Sequence, residues 1–110
     1  MFLHVVDAIH VGEYRIEITF NNGRRGIADL KDSLRGKVFE PLKDVRLFSQ
    51  LIVDKELETV TWPNGADFAP EFLYFKAFSD LPELQAQFVE WGYKAEEGAR
   101  GGRSLNTRAG

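Results

Sequence analysis

Cysteine is absent from this chain, which removes disulfide-stapled scaffolds and thiolate metal sites together. Histidine is nearly absent as well. His4 and His10 would share one face of an extended strand about 20 Å apart, at about 3.3 Å per residue, too far to hold one metal ion between them. No spacing resembles a zinc site, so no metal and no cofactor is expected. Long hydrophobic runs are missing: nothing approaches the roughly 20 apolar residues of a membrane span. The start, Met1-Phe2-Leu3-His4-Val5, has neither the charged nor the apolar region of a leader. The expectation is a soluble cytoplasmic protein with no membrane association.

Aromatic residues are plentiful but stop at Tyr93. From Gly98 to Gly110 the chain has four of its ten glycines, three arginines, no acid, and Leu105 as its one sizeable apolar group. Such a segment cannot offset its ordering entropy by burial, so 96–110 reads as a disordered Gly/Arg-rich tail and 1–95 as one domain. A chain of 110 residues has room for one core and buries about two thirds of its unfolded surface. The 14 basic residues include the three tail arginines, so residues 1–97 hold 11 basic and all 17 acidic side chains, a net charge near −6. A surface that acidic repels phosphate backbones, which speaks against nucleic-acid binding by the domain itself.

Periodicity gives the elements. Residues 2–11 are rich in Val, Ile and Leu and end at Gly12, a strand and a turn. Tyr14, Ile16, Ile18 and Phe20 alternate with Arg15, Glu17 and Thr19, giving one buried face and one wet face. A two-residue Asn-Gly turn after Phe20 would set Ile16 against Asp29 and spoil that face. A three-residue loop, Asn21-Asn22-Gly23, pairs Ile16 with Ala28 and Arg15 with Asp29, with Gly23 at a positive φ in a type I turn closed by a bulge. Asp44 is a candidate cap for a short helix carrying Leu47, Phe48 and Leu51. Leu51 to Val53 and Glu58 to Trp62 form a second hairpin about Asp54-Lys55-Glu56. Pro70 suits the first turn of a helix. Phe78, Leu81, Leu84, Phe88 and Trp91 recur at helical spacing, with Pro82 near the start and Gly92 near the end. The order β-β-β-α-β-β-α-α predicts an α+β domain: a small antiparallel sheet of about five strands with helices on one face.

The most specific stretch is Trp62-Pro63-Asn64-Gly65-Ala66-Asp67, followed by Phe68-Ala69-Pro70-Glu71-Phe72-Leu73-Tyr74. Pro63, Asn64 and Gly65 suit the second, third and fourth positions of a type I turn. Asp67 can accept backbone N–H groups at the entrance to the following helix. Two readings stand open: a strand-turn-helix connector, or a partner- or ligand-binding site built from Trp62, Asn64, Gly65, Asp67 and Tyr74. Two readings also stand for the late helix: Phe88, Trp91 and Tyr93 cover the sheet, or they form a homodimer or partner interface.

With Val38-Phe39-Glu40-Pro41-Leu42, Val53-Asp54-Lys55-Glu56-Leu57 and Thr59-Val60-Thr61 leading into it, this stretch resembles the bacterial family catalogued as domain of unknown function 2442, from about residue 4 to residue 75. The resemblance implies a small α+β domain, standing alone or joined to a helix-turn-helix DNA-binding domain, and a gene beside that of another short protein, as in toxin–antitoxin or regulatory pairs. It carries over no catalytic residue. Ala69 departs from the polar residue common before the proline, which puts a side-chain cap there in doubt. The segment 78–93 and the tail lie outside the resemblance.

Other chemistries find little. Ser33, Ser49, Ser79 and Ser104 lack a Gly-flanked elbow. The pairs Asp67/Glu71 and Glu56/Glu58 are ordinary for an acidic protein. The run from Gly98 to Ser104 lacks the strand before and the helix after that a phosphate cradle requires. The leading expectation is a non-enzymatic protein-binding or regulatory module whose partner is the product of an adjacent gene. The alternative is a small-ligand sensor or enzyme with its pocket beside Asn64 and Asp67.

Overall fold

The computed structural model describes residues 2–95; the expected tail lies outside the described residues. The fold is α+β, with five antiparallel strands and three helices in the anticipated order. The strands divide into two sheets rather than one: β1 (Val5–Gly12), β2 (Arg15–Phe20) and β3 (Arg25–Asp29) in the order β1-β2-β3, and a separate hairpin of β4 (Ile52–Asp54) and β5 (Thr59–Thr61). The hairpin meets the larger sheet at one backbone bond, from Val5 N to the Glu58 carbonyl at 3.0 Å, and does not extend the ladder.

The first hairpin takes the register that polarity demanded. Ile16 faces Ala28 and Arg15 faces Asp29, and Gly23 sits at φ 89°. Ile16, Ile18, Phe20, Ala28 and Leu30 are buried, while Arg15 and Arg25 remain in water. In the second hairpin the connection between the strands, residues 55–58, stands one position later than anticipated. The Asp54 carboxylate accepts N–H groups of Glu56 and Leu57, and Glu58 takes a positive φ before β5 begins.

Two 3-10 turns, Lys31–Ser33 and Glu40–Lys43, lead from β3 to the short helix α1 (Val45–Phe48). Asp44 caps it as expected, its carboxylate accepting Arg46 N at 3.0 Å. Helix α2 (Pro70–Phe78) begins at its proline and packs against β3. The approach is close: a Cβ on Gly26 would stand 2.5 Å from the Phe78 ring. Phe20, Tyr74 and Phe78 form an aromatic cluster at that junction, with centroids 4.9 to 5.9 Å apart.

Contacts divide the chain into residues 1–78 and 79–110. In the second unit a 3-10 turn at Pro82–Leu84 leads into α3 (Gln85–Glu90), closed by Gly92 at φ 88°. The helical spacing that began at Phe78 therefore spans two helices. Phe78 ends α2, and Leu81, forced extended (ψ 121°) by the proline after it, separates the two. Lys94 Nζ donates to the Ser79 carbonyl and to Gln85 Oε1, and so ties the segment after α3 back to the one before it.

Candidate functional site

The central corner is a second copy of the first hairpin's turn. Trp62 N donates to the Ala66 carbonyl, Gly65 N donates to the Trp62 carbonyl, and Gly65 has φ 89°; Phe20, Gly23 and Arg24 are bonded in the same way. The two asparagines also act alike. Asn64 Oδ1 accepts Ala66 N, and its Nδ2 reaches the Val38 carbonyl at 2.8 Å; Asn22 Oδ1 accepts Arg24 N, and its Nδ2 reaches the Tyr74 hydroxyl at 3.1 Å. Each turn is therefore closed from within and fastened to a distant segment. After the turn the chain runs back beside β5: Thr61 and Asp67 form a bridge, and the Thr59 hydroxyl holds the Phe68 carbonyl.

Trp62 is not a surface residue. It is 3% exposed, and its indole Nε1 donates to the Phe48 carbonyl at 2.7 Å. Its ring lies 5.4 Å from Phe48 and 5.8 Å from Phe68, the latter edge to face. Tyr74, also 3% exposed, belongs to the cluster at the α2–β3 junction. Burial denies both rings to a partner; they support the surface that the corner presents. Asn64, Gly65 and Asp67 are exposed. The expected helix-entry role of Asp67 is not what the structure has. Among the described residues its carboxylate takes no hydrogen bond, and it faces a groove.

That groove measures about 480 Å³ and is shallow and open to solvent. Its floor is a run of near-parallel rings: Phe39 stacks on Phe68 at 4.6 Å, and Phe68 on Phe72 at 5.3 Å. One wall, from the turn after β3, carries Asp32, Ser33 and Arg35. The corner adds Asp67, and α2 adds Phe75 and Lys76. Phe72, Phe75 and Lys76 fall three and four residues apart, so one helix face delivers all three. Among the described residues neither Arg35 nor Lys76 has a carboxylate partner. Of the expected site residues only Asp67 lines the groove. Sequence reasoning missed the phenylalanines and the two cations, although the Phe68/Phe72 spacing across Pro70 was visible.

The histidines have separate local partners. His4 Nε2 stands 3.8 Å from Glu58 Oε2, and His10 Nε2 pairs with the Glu13 carbonyl at 2.8 Å. Among the described residues no group of three His, Asp or Glu side chains is placed to hold a metal ion, and no helix is long and apolar enough to cross a membrane. In the second unit Phe88 is buried, with Trp91 at 6.1 Å from it and Tyr93 6.4 Å beyond; only Trp91 and Tyr93 are partly exposed.

The model of the family described as Protein of unknown function (DUF2442) matches residues 5–79, from the start of β1 through the corner and α2. The chain belongs to this family. A search of curated proteins found no significant match. Among solved structures, that of Putative DNA Binding Protein from Nitrosomonas europaea matches with a TM-score of 0.66 at 19% identity, over 83% of this chain and 61% of the other. At that identity the likeness establishes a shared fold, and this DUF2442 chain spans less than two thirds of its neighbour's length.

Proposed function

We propose that the chain is a non-enzymatic binding module that docks on a protein partner in the cytoplasm, as the regulatory half of a pair encoded by adjacent genes. The groove beside the corner is the contact surface. One observation carries this reading: stacked phenyl rings, half-buried Phe39 and Phe72 on either side of buried Phe68, with Arg35 and Lys76 at the rim without a carboxylate partner among the described residues. Partly exposed aromatic rings with arginine at hand are the composition of interface centres. The groove's openness favours a polypeptide over a small molecule, since small-ligand sites enclose about 70–90% of their occupant.

The name of the Nitrosomonas protein carries DNA binding, and that possibility is testable in this chain. The net charge near −6 over residues 1–97 works against it, because attraction to phosphates is the main non-specific term in such complexes.

Co-expression with the product of the neighbouring gene tests the proposal. The expected outcome is a complex that co-elutes in size-exclusion chromatography and is lost on Lys76→Glu with Phe72→Ser. A sensor would behave differently: no complex, and a stability gain of about 2.7 kcal/mol from a metabolite at a hundred times its Kd.

A further inference from the structure

On the outer face of the three-stranded sheet the register defines an unusual row. Ile9 of β1 stands opposite Glu17 of β2, and Glu17 stands opposite Ile27 of β3. Ile9 is 52% exposed and Ile27 50%, so two isoleucines flank a carboxylate on a surface where alternation would place polar groups. Asp7 lies on the same face of β1, two residues from Ile9 and opposite Thr19. Among the described residues neither Asp7 nor Glu17 has a cationic partner. The two arginines of the face are placed elsewhere: Arg25 donates from Nε to the Thr19 hydroxyl, and Arg15 lies opposite Asp29. The uncompensated charge beside the isoleucines is negative.

The shape of β1 restricts what can cover this face. β1 is an edge strand, open to addition of a further strand, but its register shifts between Val5 and Asp7 and again between His10 and Gly12. Bulges of this kind twist an edge away from strand addition. The residues skipped there, Val6 and Val11, are 50% and 42% exposed and extend the apolar rim. A partner must therefore rest on the face instead of joining the edge. Ile9 and Ile27 stand two strand spacings apart, roughly 9–10 Å, which is about the width of one α-helix.

We propose that this face seats an amphipathic helix of a partner protein whose apolar stripe carries one lysine or arginine, the cation meeting Glu17 between the two isoleucines. The charge at the centre sets which helix is accepted, since a carboxylate desolvated against a neutral or acidic stripe would be left without a partner. This surface is distinct from the groove, and its occupant is fixed by different residues.

The test uses the full chain and synthetic alanine-rich helices with a leucine face interrupted by one lysine, or by glutamate in the control, followed by NMR. The lysine peptide is expected to shift the signals of Ile9, Glu17 and Ile27 saturably. Glu17→Lys should weaken it by about tenfold, and the glutamate peptide should gain by a similar factor on that variant. Glu17→Gln, which keeps the side-chain shape, should weaken the lysine peptide without a change in circular dichroism. Equal binding of both peptides to the unaltered chain, indifference to Glu17→Lys and Glu17→Gln, or no saturable shift would each overturn the proposal. So would self-association that moves the same signals, since the occupant would then be a second copy of the chain.

Discussion

The indole N–H of Trp62 donates to the backbone carbonyl of Phe48 across 2.7 Å, deep inside the molecule. That bond joins the corner after β5 to the end of α1 and holds the indole edge to face with Phe68, the central ring of the groove floor. Tyr14 and His10 pack edgewise on Phe48 from the other side, so rings run without interruption from the larger sheet to the groove. The groove floor is therefore braced by the core.

Trp62→Phe keeps an aromatic ring but withdraws the only donor that the side chain offers. A buried carbonyl left without its partner costs about 1–3 kcal/mol, so denaturant midpoints should fall with no change in slope. An unchanged midpoint would mean that the bond contributes nothing net.

Gly26→Ala should destabilise by about 1–3 kcal/mol, the usual cost of overpacking, because its methyl would meet the Phe78 ring at 2.5 Å. Phe78→Leu in the same chain should recover part of the loss. The two changes are then non-additive in a double-mutant cycle, whereas strict addition would contradict the contact.

Gly65→Ala meets no neighbour within 4 Å, yet Gly65 has φ 89°. Its cost is therefore purely conformational, about 1–2 kcal/mol. Gly23, at the same φ in the twin turn, should lose a similar amount on the same change, and asparagine at either position should cost less than alanine.

The Asp44 carboxyl is held below its ordinary value, first by the hydrogen bond from the Arg46 side chain and next by the Arg46 backbone N–H. A carboxyl whose folded pKa is depressed stabilises the fold above the unfolded value, about pH 4, and loses that effect as pH falls through the folded value. The Tm difference between the chain and its Asp44→Asn variant should narrow as pH drops below about 4. A difference independent of pH would assign the cap no ionic component.

Much of the framework was legible in the residues, because local chemistry decided it. The alternation from Tyr14 to Phe20 favours one register, Asn21-Asn22-Gly23 and Pro63-Asn64-Gly65 suit one kind of turn, and Pro70 suits the first turn of a helix. What escaped was non-local. Phe39, Phe68 and Phe72 meet only after two hairpins and α1 have folded, so no window of sequence contains the groove. The role of Trp62 stood open between connector and binding site because rarity cannot distinguish an exposed indole from a buried one. The division of the strands into two sheets follows from the excursion between Leu30 and Leu51, whose 3-10 turns and short helix remove β4 from the first ladder.

On the proposed function, the braced groove is where a protein partner binds. Hydrogen–deuterium exchange of the chain, alone and with the co-expressed product of its neighbouring gene, tests it most directly. Binding at the groove predicts slowed exchange in the backbone of residues 32–39 and 67–76, reversed by Lys76→Glu. A complex that forms while both segments exchange at their free rates would contradict it.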